Sequence, residues 1–265
     1  MALLPKDRQG RLYHIGLKKD QAGRIALLPG DPDRVPRIAK RFEDPVELSS
    51  HREFRSIGGF VGGEYVIAMS TGIGGPSTAI AIEELARLGV NCMIRIGTCG
   101  AIRPKIGVGS LIIAEAAVRL EGTTKQYVMD GYPAAASPEV VLSLQQSAVT
   151  LRKTYASGLC ASTDSFYVGQ GRPSFGDYFP SFARNIVSDL RSSGVICFEM
   201  ESSVLFTLGR VFGIRTGAVL AVLANRTTDE FKADSGVDDA IDVAVEAVRR
   251  LTARKKRATK SGQSL

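Results

Sequence analysis

Nowhere does this 265-residue chain approach the roughly 20 consecutive apolar residues that a membrane-spanning helix needs, and no membrane partner is expected. Histidine is nearly missing: His14 and His51 are the only two, which excludes a multi-histidine metal centre and leaves few candidates for a Ser-His-Asp triad. Cys92, Cys99, Cys160 and Cys197 form no C-x-x-C pair, arguing against a zinc ribbon or thioredoxin-type motif and for free thiols. The Walker A pattern is absent, and "GIGGPS" carries Ser77 where G-x-G-x-x-G takes its last glycine. "MALLPKDRQGRLYHIG" has neither an uninterrupted apolar segment nor a small-residue cleavage site, so no secretory signal is read and a cytoplasmic location is expected.

What is present is ordinary in amount, 44% hydrophobic and 23% charged residues, as in soluble globular proteins. The net charge of +7 is unevenly placed. Arg249, Arg250, Arg254, Lys255, Lys256, Arg257 and Lys260 account for all of it, and residues 1–248 balance 27 bases against 27 acids. A solvated tail over 252–265 explains this better than a nucleic-acid surface, and no nucleic-acid partner is expected.

Short apolar runs alternate with amphipathic segments. Strands are expected at 24–30, 92–97, 110–118, 155–163, 195–199 and 217–224, with hairpin material over 54–71 turning at Gly62-Gly63. Helices are expected over 31–42, 75–89, 138–152, 182–192, 202–212 and 237–254. The near-continuous apolar strands imply a mostly parallel sheet covered on both faces, in a single domain over 1–265 with its core at about 13–250. Ligands of such folds sit beyond the carboxyl ends of the strands.

Those ends are glycine-rich and polar: "GDPDR" at 30–34, "TGIGGPS" at 71–77, "RIGTCGA" at 95–101. Glycine lets backbone approach an anion and arginine offers forked donors, so a phosphate site built from several loops is expected. Arg95, inside an apolar run, needs either an anionic ligand or a buried acid as partner. In "FEMES", residues 198–202, Glu199 and Glu201 flank Met200 and leave the chain on one side if the strand ends near Met200.

The segments "YHIGL", "LLPGDPDR", "SHREF", "STGIGGPSTAIAIEELARLG", "RIGTCGAI", "SFYVGQGR", "FEMES" and "NRTTDE" closely resemble, in order and spacing, the nucleoside phosphorylase superfamily I in its bacterial-type, uridine-cleaving branch. The resemblance implies a three-layer αβα sandwich with a central mixed, partly barrel-like sheet. It also implies reversible phosphorolysis of uridine to uracil and ribose 1-phosphate, with inorganic phosphate as co-substrate, no required cofactor, and a homohexamer built as a trimer of dimers.

Carried over residue by residue, phosphate is held by Gly30, Arg34, Arg95 and Thr98, with Arg52 reaching in from a neighbouring subunit. Ribose meets Thr98, Met200 and Glu201, and His14 of the neighbour. The base meets Phe166, Gln170, Arg172, Cys99, Gly100 and Arg226, with Glu199 in support. Arg95, Arg172 and Glu201 are the catalytic candidates: Arg172 stabilises charge on the departing uracil while Glu201 orients the sugar. A K⁺ ion is implied at the dimer interface through Glu53, Ile73 and Ser77. Cys99 departs from the pattern, standing where bacterial members usually carry a second threonine. A purine or broad-specificity phosphorylase is the alternative; Asn225 and Arg226 stand near where the purine branch carries an aspartate. A non-catalytic nucleoside-binding protein is a further alternative, and it fits poorly with all of Arg34, Arg52 and Arg95 retained.

Overall fold

The computed structural model describes residues 4–260, and side chains through residue 253. Strand β1 (Ile25–Leu28) explains the layering: all four residues are buried, Ala26 and Leu28 joining one apolar cluster and Ile25 and Leu27 another. Alternating side chains of a strand point to opposite faces, so this sheet is covered on both. On the first face lie α2 (Gly75–Arg87) and α5 (Ser202–Phe212), through Ile82, Leu85, Leu205 and Leu208. On the second lie α1 (Arg34–Ala39), α3 (Pro138–Thr150) and α6 (Val237–Lys260), through Ile38, Leu144, Ile241 and Val245. The short α4 (Ile186–Ser192) covers a third, smaller cluster containing Val195 and Phe198.

The sheet is mixed. β1 runs parallel to β4 (Glu64–Met69) on one side and β5 (Cys92–Ala101) on the other. β2 (Glu43–His51) and β3 (Phe54–Val61) extend it as an antiparallel meander from β4, with the expected turn at Gly62 and Gly63. β5 pairs in parallel with β10 (Arg215–Asn225), and β10 antiparallel with β6 (Leu111–Leu120). Then β6 and β8 (Tyr155–Thr163) pair in parallel, as do β8 and β9 (Val195–Glu199), and β9 returns antiparallel to β5. Five strands thus close into a barrel within the three-layer sandwich. Two-residue strands β7 (Ala134–Ala135) and β11 (Glu230–Phe231) hang on β6 and β10.

The expectation of a mostly parallel sheet is therefore corrected. An apolar run reports that both faces are covered; it carries no information about the direction of the neighbouring strand. β2 had no apolar signal at all, since "EDPVELSSH" is polar, contains a proline and lies at the sheet edge, where a missing N–H is tolerated. α6 continues beyond the expected end at 254 to Lys260, so the region expected as a tail begins within a helix; residues 261–265 lie outside the described residues.

Candidate active site

Arg95 stands in the middle of the sheet, opposite Leu28 of β1 and Ala218 of β10, and is 5% exposed. Its charge is met by both acids of "FEMES": Nε donates to Glu199 Oε2 at 3.1 Å and Nη2 lies 2.5 Å from Glu201 Oε2. The guanidinium folds back over its own strand. A Cβ on Gly97 would come within 2.6 Å of Arg95 Nη2, so a side chain there would press on the guanidinium.

The two acids differ in what else holds them. Glu199 Oε2 also accepts from the backbone N–H groups of Glu201 and Ser202, both at 2.9 Å, and from the Ser202 hydroxyl at 2.8 Å, while Oε1 accepts from the Ser162 hydroxyl. It thereby satisfies open donors at the N-terminus of α5, where a negative charge is favourable. Glu201 Oε1 accepts from Gly74 N at 2.6 Å, just ahead of α2. Gly74 needs its hydrogen side chain, because its φ of 92° is left-handed. Burial pushes the Glu201 carboxyl above its ordinary range, against the opposing pull of Arg95.

A cavity of about 680 Å³ opens over this cluster. The three glycine-rich segments meet there, those at 30–34 and 71–77 leading from strand into helix and the one at 95–101, expected beyond a strand end, lying inside β5 itself; a Cβ on Gly30 would lie 3.2 Å from Gly72 O. Arg34, at the first turn of α1, donates through Nη1 to Ile96 O at 3.1 Å. Burial lowers its pKa, and the neighbouring Arg95 lowers it further. Arg95, buried, and Arg34, half-buried, both line this end of the cavity and make it a place for an anion.

The far end is built by the chain leaving β8. Arg172 Nη1 donates to Gln170 Oε1 at 2.8 Å and to Phe166 O at 2.9 Å, and its Cζ lies 4.2 Å from the centre of the Phe166 ring. Burial first, and Arg226 second, pull the Arg172 pKa down to about 10. Gln170, 3% exposed, donates through Nε2 to Thr163 Oγ1 at 3.1 Å. Thr98, Cys99, Gly100, Met200 and Glu201 also line the cavity, Glu201 against Arg95 and Gly100 beside Arg172.

Most of the residues singled out in the sequence line this one cavity: Gly30, Arg34, Glu53, Ile73, Arg95, Thr98, Cys99, Gly100, Phe166, Gln170, Arg172, Glu199, Met200 and Glu201. Four do not. Ser77 donates to Glu53 Oε1 at 2.9 Å and to Thr71 O. His14 Nδ1 sits 2.6 Å from Glu84 Oε1, and Arg52 Nη2 donates to Tyr13 OH at 3.3 Å, so His14 and Arg52 form one group around Tyr13. Arg226 donates to the carbonyls of Gln170 and Gly171 and so holds the base-loop backbone. Asn225 turns away, its amide bound to Arg103 O, Ile106 O and Thr227. The cavity also includes Asp31 and Pro32 of "GDPDR" and Phe198 of "FEMES", together with Leu223, Ala224 and Phe231, which carried no signal in the sequence because apolar lining and apolar core look alike. Ser162 and Thr163 were missed because a polar residue inside a strand shows no partner until the fold supplies one.

The phosphorylase superfamily matches residues 24–255. A uridine phosphorylase of Thermococcus kodakarensis is 53% identical over 247 residues, covering 93% of this chain and 89% of the relative. That of Escherichia coli is 41% identical over 249 residues, 91% of this chain and 98% of the relative. A guanosine phosphorylase of Halorubrum lacusprofundi is 32% identical over 237 residues, 89% and 93% of the two chains.

Proposed function

The chain belongs to the phosphorylase superfamily, and from that premise we propose that it catalyses the reversible phosphorolysis of uridine to uracil and ribose 1-phosphate. The observation that carries the proposal is the polarity of the cavity: Arg34 and Arg95 at one end, the Gln170–Arg172 pair at the other. Uridine phosphorylase relatives at 41% and 53% identity support the same reaction.

In this reading inorganic phosphate is the co-substrate and binds at Gly30, Arg34, Arg95 and Thr98, in line with the ribose C1′. Held there, it attacks without the entropic cost of a free encounter. Within one subunit Arg34 and Arg95 are balanced by Glu199 and Glu201, so a dianion calls for a further cation; Arg52 of a second copy supplies it. Ribose hydroxyls donate to Glu201, Met200 lies along the sugar, and His14 of the second copy completes the ribose pocket. Phe166, Cys99, Gly100, Gln170 and Arg172 take the base, Glu199 and Arg226 holding the groups around it. As the glycosidic bond breaks, the bonding pair goes to N1 of uracil and its charge spreads to O2 and O4, where Arg172 stabilises it.

Arg52 and His14, outside the cavity of their own chain, support sites shared within a homohexamer of three dimers. K⁺ at the dimer interface fits the convergence of Glu53 Oε1 and Ser77 Oγ, 2.9 Å apart, beside the 78% exposed Ile73. No helix among the described residues is long and apolar enough to cross a membrane, and a cytoplasmic location is proposed.

The test is base release from uridine, thymidine, inosine, adenosine and guanosine with and without phosphate. Uracil release only with phosphate is expected. Release without phosphate overturns phosphorolysis, and release from guanosine or inosine but not uridine moves the chain to the purine branch.

A further inference from the structure

Thr163 ends β8 and is 2% exposed, and the proposed reaction gives it no task. Its hydroxyl lies 3.3 Å from Ser165 O and accepts from Gln170 Nε2 at 3.1 Å. At the other end of the same amide, Arg172 Nη1 donates to Gln170 Oε1 at 2.8 Å. We infer that Thr163 fixes the direction of the Gln170 amide and thereby determines which pyrimidine edge the site accepts; the inference rests on the base site proposed above.

The chemistry of the partners leaves one arrangement. A backbone carbonyl only accepts, so the single proton of the Thr163 hydroxyl is committed to Ser165 O. Its oxygen must then accept from Gln170, which puts the NH₂ group on that side. A guanidinium only donates, so Arg172 requires the amide oxygen on the other side. Turning the amide over would set NH₂ against a guanidinium and oxygen against the hydroxyl's lone pairs, and Gln170 and Thr163 are both buried, where unmade hydrogen bonds are most costly. The backbone cannot shift to relieve this, because Arg226 holds the carbonyls of Gln170 and Gly171.

With these bonds made, the amide retains one N–H and one oxygen lone pair for a ligand. Uracil offers the matching sequence, an acceptor at O2 and a donor at N3–H. Cytosine has an unprotonated N3, an acceptor, which would face the amide oxygen. Thr163 is a positioning residue in this scheme: it touches Gln170, not the base.

The experiment compares wild type, Thr163→Val and Thr163→Ser by steady-state kinetics on uridine and cytidine at saturating phosphate, with melting temperatures as the check on folding. Thr163→Val is expected to raise KM for uridine about tenfold, the size of one neutral hydrogen bond, with kcat changed much less. It is also expected to narrow the preference for uridine over cytidine by a similar factor. Thr163→Ser keeps the hydroxyl and is expected to restore most of both. Thr163→Ala serves the same comparison if the valine variant does not fold. Unchanged KM and preference in folded Thr163→Val, or equal impairment in Thr163→Ser, overturns the inference while uridine cleavage by wild type stands. A folded wild type that cleaves neither nucleoside overturns the proposed function as well.

Discussion

Arg95 and Glu201, 106 positions apart in the chain, meet at 2.5 Å beneath the cavity, and Gly74 N fixes the other oxygen of the same carboxylate at 2.6 Å. One side chain lies at the arginine-rich end and the other in the middle, so whatever moves either moves both. Four predictions follow from this cluster and its neighbours.

Replacing Arg95 by alanine is expected to lower phosphate-dependent turnover by several powers of ten, since each lost transition-state contact of about 3 kcal/mol is worth roughly a hundredfold. It also leaves Glu199 and Glu201 without their shared cation, a change that costs about 3–5 kcal/mol in a buried setting. Melting and turnover should therefore fall together. Near-normal turnover at saturating phosphate would make Arg95 a purely structural ion-pair residue.

Gly97→Ala tests the same guanidinium without altering any charge. The new Cβ would meet Arg95 Nη2 at 2.6 Å and Leu220 Cδ2 at 2.7 Å. Overpacking of this kind costs about 1–3 kcal/mol. The expected result is a folded protein with a raised KM for phosphate; wild-type kinetics would show that Arg95 can relocate freely.

Glu201 predicts a pH profile. Burial raises its pKa above the ordinary value, so the folded state holds its proton over a range where the unfolded chain has lost it. This group's contribution to stability accordingly falls as pH rises from the unfolded to the folded value. The charged form is the one that pairs with Arg95 and accepts from ribose hydroxyls. Thus kcat/KM for uridine should fall on the acid side at a pH above the usual carboxylate range, and Glu201→Gln should remove that limb while lowering the plateau. An unaltered acid limb in the variant would assign it to another group.

Shared sites predict complementation. Arg52→Ala and Glu201→Gln homo-oligomers should each be nearly inactive. Co-expressed, they should recover activity, because a mixed pair contains one site with neither change. Mixed oligomers that form, as judged by differential tagging, yet stay inactive would refute the contribution of Arg52 from a second copy.

Much of this was legible along the chain. The three glycine-rich segments were read as a candidate anion site, and all three contribute residues to the one cavity, although the third lies inside β5 and not beyond its end. Arg95 in an apolar run announced that it needs a partner. Of the two readings left open for it, the buried acid is present, as Glu199 and Glu201; the anionic ligand belongs to the proposed function, toward which Arg95 lines the cavity. Asn225 was different. It was read only as standing, with Arg226, near where the purine branch carries an aspartate, and its amide is spent on the Arg103 and Ile106 carbonyls.

By itself the sequence determined the elements and their punctuation, because period, glycine turns and a charge among apolar residues are local properties that any stretch of chain displays. Tertiary structure alone decided the direction of the strands, the closure of β5, β10, β6, β8 and β9 into a barrel, and the partners of each polar group. Strand pairing brings together residues a hundred positions apart, and no local pattern encodes which they will be. The meeting of Arg95 with Glu199 is such a case, set by β9 lying against β5. Thr163 is a shorter-range case, only seven positions from Gln170, yet unexceptional in its own strand until the chain beyond β8 turns back and sets that amide beside it.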